Sequence, residues 1–176
     1  KRISACLPMH TFGFPAQLNE IKNVCDLYNI EIIEDAAESL GSFYNGNHTG
    51  SVGRLSTLSF NGNKILTSAG GAMILTNDES LAKQAKHLST TAKVKHKWFF
   101  EHDHVGYNYR LPNLNAALGL AQLETLPKKI TKKRSLAKKY QAWGADNGMN
   151  FVIEPKNTRS NYWLNTLICN SKDSRD

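Results

Sequence analysis

Apolar and polar positions change rhythm several times along the chain. ISACLPMH (residues 3–10) carries a short apolar run ending at Pro8, the pattern of a strand running out into a loop. After Phe14 and Pro15 the spacing turns helical: Leu18, Ile21, Val24, Cys25 and Leu27 or Tyr28 recur within AQLNEIKNVCDLYN (16–29). IEIIEDAAE (30–38) is a β-branched run ending in acids, and LSTLSF (55–60) and GAMILT (71–76) are two more strand candidates. Strand, helix, strand implies a right-handed crossover, so the first sixty residues read as a parallel α/β unit with helices on the faces of a sheet.

From Asn77 the pattern is mostly helical. NDESLAKQAKHLSTTA (77–92) has Asn77 or Asp78 as its N-cap, and WFFEHDHVGYNYRLP (98–112) is aromatic and irregular. NLNAALGLAQLETL (113–126) is an alanine-rich helix starting just after Pro112, and Pro127 breaks it from a basic helix. Beyond Gly148, MNFVIEP (149–155) and NYWLNTLIC (161–169) read as two strands of something new. The expected organisation is a partial large domain over 1–127 and an incomplete small domain over 128–176.

Composition narrows the class. With 40% hydrophobic and 21% charged residues among 176, the chain has the make-up of a globular protein able to bury a core. No apolar run approaches the roughly 18 to 20 residues that span a bilayer, so no membrane partner is expected. The apolar stretch in KRISACLPMH is too short for a signal peptide, which makes the cytoplasm the expected compartment. Cys6, Cys25 and Cys169 show no CxxC spacing and suggest neither a disulfide framework nor a zinc site; reduced core thiols are expected. Much of the +7 net charge lies in LPKKITKKRSLAKKY (126–140), where Ile130, Leu136 and Tyr140 among lysines describe an amphipathic helix with a wet face. A phosphate-bearing substrate and nucleic acid are the alternatives to a merely solvated face.

Candidate chemistry sits at strand ends, where open parallel sheets bind ligands. Asp35 closes IEIIED and is followed by the small Ala36 and Ala37; Ser59 ends LSTLS, and Lys64 follows through Asn61-Gly62-Asn63. Were the two strands neighbours, a carboxylate, a hydroxyl and an amine would meet in one crevice. Taken singly, Asp35 fits a helix cap, Ser59 a hydrogen-bonded strand end and Lys64 a surface lysine. SxxK spacing and a nucleophile elbow are both absent, which argues against a hydrolase. Together the three supply what pyridoxal phosphate requires: an amine, an anion for the pyridinium nitrogen and a donor to phosphate.

Five blocks in order, MHTFGFPAQLNEI, IIEDAAESLGSFYNG, GSVGRLSTLSFNGNKILTSAGGAMILT, VGYNYRLPNLNAALGLAQLE and SNYWLN, resemble the DegT/StrS-type sugar aminotransferases, which are α/β proteins of fold-type I. SFNGNKI with GYNYRLPNLNAALG is nearest the branch that aminates C4 of nucleotide-linked 4-keto-6-deoxy sugars, as in legionaminic acid or bacillosamine pathways. The resemblance implies that Lys64 carries pyridoxal 5'-phosphate as an aldimine, that Asp35 pairs with the pyridine nitrogen and that Ser59 binds the cofactor phosphate. It places Glu38 near the cofactor's ring hydroxyl, Asn108 on the phosphate of a neighbouring subunit, and Asn161 and Tyr162 toward the nucleotide sugar. A homodimer with shared active sites, glutamate as amino donor and a role in surface polysaccharide or glycan biosynthesis follow from the same resemblance. His10 falls in a family block but reads as a packing or loop-shaping residue. Lys64 argues against a related dehydratase branch, which has histidine there.

The family's chains are longer, and the resemblance starts inside the large domain, past the glycine-rich turn expected to bind the cofactor phosphate. A noncatalytic folded module that oligomerises through NLNAALGLAQL is therefore the alternative. Nucleic-acid binding by the basic helix, without interleaved aromatics or a known motif, ranks behind both.

Overall fold

The computed structural model describes residues 3–176. Lys1 and Arg2, which open the decapeptide weighed against a signal peptide, lie outside the described residues.

A four-stranded sheet organises the first half. β1 (Ala5–Cys6) leads through α1 (Leu18–Leu27) to β2 (Glu31–Asp35), and the two strands pair in parallel, Ala5 opposite Glu31. β3 (Phe43–Tyr44) and β4 (Asn47–His48) form a small antiparallel ribbon before β5 (Leu55–Ser59), which returns to pair in parallel with β2, Asp35 opposite Thr57. β6 (Ala72–Leu75) runs antiparallel to β5, giving the order β1-β2-β5-β6. No crossover helix separates β5 from β6, so the chain can only turn back on itself.

α2 (Glu79–Ser89) starts where its cap chemistry says it should: Asp78 accepts from the N–H groups of Ser80 and Leu81 at 2.9 and 3.2 Å. α3 (Asn113–Glu124) begins directly after Pro112. Its Asn115 donates to the Ser68 carbonyl at 2.6 Å, while Leu114, Leu118, Leu120 and Leu123 stay exposed. α4 (Leu126–Asp146) follows after Thr125, with Pro127 in its first turn.

One core cluster joins Ala36, Leu58, Phe60, Ile65 and Leu66 to Leu126 and Ile130 of α4 and to Trp163. It therefore spans the expected boundary at 127/128. β7 (Asn150–Phe151) pairs with β9 (Leu167–Ile168), but β8 (Thr158–Arg159) pairs with β3, extending the ribbon to β4-β3-β8. A short helix, α5 (Lys172–Arg175), ends the chain.

Two sequence expectations change. NYWLNTLIC is a strand only at Leu167–Ile168; Asn161, Tyr162 and Trp163 are buried irregular chain, and Tyr162 has φ 49. The basic face of α4 is not simply wet. Arg134 forks onto Glu154, Nη1 to Oε2 at 2.7 Å and Nη2 to Oε1 at 2.8 Å, and also donates to the Ser160 carbonyl at 2.6 Å. Lys133 donates to the Trp163 carbonyl at 3.0 Å. These two cations tie α4 to the buried segment.

Cys25 is buried, and Cys6 and Cys169 are half-buried free thiols. Among the described residues, no helix is long and apolar enough to cross a membrane.

Candidate active site

Period-two geometry in β2 sends Ile32 and Glu34 to one face of the sheet and Ile33 and Asp35 to the other. Glu34 is thus an acid at a core position, fully buried. Its Oε2 accepts from Gly50 N–H at 2.7 Å and meets His10 Nε2 at 2.9 Å; Oε1 accepts from Val52 and Gly53 N–H at 2.7 and 2.6 Å. His10 Nδ1 accepts from Ala16 N–H at 3.0 Å, so the ring proton must sit on Nε2, donating to Glu34. Burial pushes the Glu34 carboxyl up, yet the donors, His10 first and then Gly53, Gly50 and Val52, outweigh it and hold the carboxyl below its ordinary pKa. The pair fixes residues 50–53, the loop that feeds β5, and gives His10 the loop-shaping role expected of it.

On the opposite face, the carboxyl ends of β2 and β5 lie side by side, since the strands are parallel neighbours. Asp35 ends β2, where its Oδ1 accepts from Ala37 N–H at 3.1 Å. Among the described residues Oδ2 has no hydrogen-bond partner. Ser59 ends β5, and its Oγ accepts a long bond from Asn61 N–H at 3.4 Å.

Past Ser59 the chain makes a turn closed by Lys64 N–H to the Asn61 carbonyl at 3.1 Å, and the buried Ile65 and Leu66 anchor it to the core. The Lys64 side chain is accordingly only 14% exposed. Its Nζ lies 3.6 Å from Glu38 Oε1 and 4.2 Å from the centroid of the Trp163 ring. Glu38 is itself held, its Oε2 accepting from Phe12 N–H at 2.6 Å. Trp163 is fastened by its indole Nε1–H to the carbonyl of Asn63, the residue before the lysine, at 2.7 Å.

A buried polar knot places Trp163. Ser42 and Ser160 hydroxyls both donate to the Gly13 carbonyl, at 2.7 and 2.9 Å. Asn161 N–H donates to Ser42 Oγ, and its side-chain amide donates to the carbonyls of Glu38 and Leu40 at 2.9 and 3.0 Å. Asn161 Oδ1 accepts from Trp163 N–H at 2.8 Å, and Tyr162 places its hydroxyl 3.3 Å from Gln141 Nε2 and from Glu154 N, which donate to it. Asn161 and Tyr162 are therefore engaged within the chain, and Asn161 holds the backbone of Trp163.

Asp35 and Ser59 end the neighbouring strands β2 and β5, and Glu38 and Lys64, each a few residues past one of those ends, meet each other. Asn108 does not join them: it is exposed and held in a bridge to Thr90. A concavity of about 1070 Å³ also lies elsewhere, over β6 between α2 and the start of α3, lined by residues such as Met73, Ile74, Lys86 and Tyr109. The site residues missed by the sequence reading are Glu34 and Trp163. An acid at the core register of Ile32 and Ala36 signalled the first; no local pattern signals the second.

Residues 1–176 match the DegT/DnrJ/EryC1/StrS aminotransferase family along their whole length. EpsN of Bacillus subtilis (strain 168), provisionally named a pyridoxal phosphate-dependent aminotransferase, is 41% identical over 164 residues, 93% of this chain and 42% of that protein. GDP-perosamine synthase of Vibrio cholerae is 36% identical, over 96% of this chain and 46% of its own. Among solved structures, Helicobacter pylori PseC, an aminotransferase involved in the biosynthesis of pseudoaminic acid, superposes with a TM-score of 0.90 at 25% identity, over 96% of this chain and 46% of that one. The fold is thus the expected fold-type I α/β architecture, and the chain spans less than half the length of the relatives it matches.

Proposed function

The chain belongs to the DegT/DnrJ/EryC1/StrS aminotransferase family, and from that premise we propose that it is the lysine-bearing part of a pyridoxal phosphate-dependent aminotransferase. The reaction is transfer of an amino group from glutamate to a nucleotide-linked 4-keto-6-deoxy sugar in glycan biosynthesis. The observation that carries the reading is the pose of Lys64, an amine held between Glu38 and Trp163 beside the carboxyl ends of β2 and β5.

The residues present fit the cofactor. Asp35 Oδ2 is free, among the described residues, to accept from a pyridinium N–H, and the Ala37 N–H on Oδ1 holds the carboxylate in place. Ser59 can donate to a phosphate oxygen, because the Asn61 N–H uses its hydroxyl only as an acceptor. Lys64 would supply the amine that condenses with the cofactor's aldehyde with loss of water, and Glu38 offers a carboxylate within reach of that amine. When bound, pyridoxal phosphate supplies an electron sink for negative charge developing at the substrate carbon. Lys64 Nζ would then be the group that moves the proton to and from that carbon.

Asn161 acts on the sugar side through Trp163, whose backbone N–H it holds, and Tyr162 through the same segment, which its hydroxyl ties to Gln141 and Glu154. Asn108, exposed on its own chain, serves the site of a second copy, and the exposed leucines of α3 suit the homodimer this requires. The cytoplasm remains the proposed compartment.

Addition of pyridoxal phosphate, borohydride reduction and peptide mapping test the reading. Label on Lys64 is expected; label confined to other lysines, or no adduct on the folded chain, overturns it. The exposed α3 leucines alone favour the second reading, a noncatalytic oligomerising module, and absence of any adduct from a stable dimer would select it.

A further inference from the structure

Away from the lysine, three ligand-type side chains meet where α2 ends. His87, in the last turn of that helix, places Nε2 2.6 Å from Asp103 Oδ1, and His104 Nδ1 lies 3.0 Å from the same oxygen. The three ligand atoms all fall within 4.8 Å of one another. Two nitrogens from separate segments thus converge on one carboxylate oxygen.

Backbone geometry holds the segments together. Thr91 and Ala92 have φ 73 and 51, a left-handed pair that turns the chain sharply after α2. Ala92 N–H donates to the His87 carbonyl at 2.8 Å, Asp103 N–H to the Ala92 carbonyl at 3.3 Å, and Thr91 N–H to the Tyr107 carbonyl at 2.9 Å. Gly106 fits against this turn only because it lacks a side chain: a Cβ would stand 2.3 Å from the Thr91 carbonyl carbon. His102 Nδ1 lies 2.7 Å from the Thr91 oxygen, which can only accept. The frame is set from both sides before any ligand arrives.

We propose that His87, Asp103 and His104 form a binding site for a divalent transition-metal ion of the Zn²⁺ type, which clips the end of α2 to residues 103–108. Two imidazoles and a carboxylate are the donor set that borderline ions take, and three protein ligands leave one position for water. Metal–ligand bonds of about 2.0 to 2.2 Å in a tetrahedron put ligand atoms about 3.3 Å apart, so the observed spacings need adjustments on the order of 1 Å. Side-chain rotation supplies that at a site where Asp103 and His104 are exposed. The site contains no cysteine, and cysteine spacing therefore gave no hint of it. It shares no residue with the proposed cofactor site.

Calorimetric titration of the full chain with Zn²⁺, and visible absorption with Co²⁺, test the site with the thiols of Cys6, Cys25 and Cys169 blocked. One ion per chain is expected, with nitrogen and oxygen ligation in the Co²⁺ spectrum. His87→Gln, Asp103→Asn and His104→Gln should each weaken binding at least ~10-fold, the scale on which even outer partners of a metal ligand act, with the circular dichroism spectrum unchanged. Absence of binding by the thiol-blocked chain, or binding that survives all three substitutions and so belongs to His48, His96 or His102, overturns the proposal. Should a substitution unfold the chain, loss of His104 imidazole proton shifts on Zn²⁺ addition to the wild type replaces it; unmoved His87 and His104 signals at saturation count against the site.

Discussion

Gly13 and Asn161 share one small space: a Cβ built on Gly13 would lie 1.9 Å from Asn161 Oδ1. The backbone at Gly13 has φ 93, and its carbonyl is where the Ser42 and Ser160 hydroxyls meet. Residues 147 positions apart in the chain are thereby locked together. Gly13→Ala would add backbone strain and displace a buried amide whose every polar atom is in use. A loss of about 2 to 4 kcal/mol is expected, from strain plus overpacking, read as a fall in the urea midpoint with little change in slope. An unchanged midpoint would mean that the knot is not tight.

Glu34 predicts acid sensitivity. Its carboxyl is held below the ordinary value in the folded chain, so the stabilisation is complete above the unfolded pKa and is lost as pH falls through the folded one. Glu154, also lowered, adds to the loss in the same direction. Urea midpoints should drop steadily from pH 6 toward pH 3, an interval set by the ordinary glutamate pKa of about 4.3. Glu34→Gln should cost about 3 kcal/mol at neutral pH, because an amide NH₂ would face backbone N–H donors, and should flatten the acid slope. A variant as acid-sensitive as the wild type would remove Glu34 as the cause.

Lys64→Ala separates chemistry from stability. The substitution should abolish the borohydride-stable adduct while changing stability by about 1 kcal/mol or less, since Glu38 keeps its Phe12 N–H and Trp163 keeps its Asn63 bond. A large fall in stability with labelling retained elsewhere would make Lys64 a structural residue.

Arg134→Lys keeps the charge but not the fork. The two parallel bonds to Glu154 become one at most, and the Ser160 carbonyl loses its donor. A cost of about 1 to 2 kcal/mol is expected. Because Arg134 holds the segment under Trp163, pyridoxal phosphate labelling of Lys64 should slow as well; normal labelling in a destabilised variant would uncouple the two.

Leu114 is 86% exposed on α3. Leu114→Arg should therefore leave the fold intact and shift the sedimenting species from dimer to monomer. A wild-type chain that sediments as a monomer at all concentrations would refute the homodimer.

Local signals were legible where local chemistry decides the structure. Asp78 caps α2, Pro112 sets the start of α3, and the β-branched run ending at Asp35 is β2. Asp35 and Ser59 could be placed at strand ends, with Lys64 a few residues beyond, because strand ends are themselves local. What could not be read depends on partners far along the chain. Asn161–Trp163 resembles a strand in composition, but its backbone donors go to serine hydroxyls and an amide oxygen, and Tyr162 takes a left-handed turn to allow it. Lys133 and Arg134 looked solvated because nothing in the helix itself shows that a carbonyl and a glutamate await them.

The bond between the Trp163 indole and the Asn63 carbonyl closes a loop of 100 residues. Contacts that distant are entropically slow to form. During synthesis from the amino terminus, the turn bearing Lys64 must wait until Trp163 has left the ribosome before its aromatic wall exists. The lysine's surroundings are therefore a late event in folding, and an aldehyde in the cell meets a bare amine until the last part of this segment arrives.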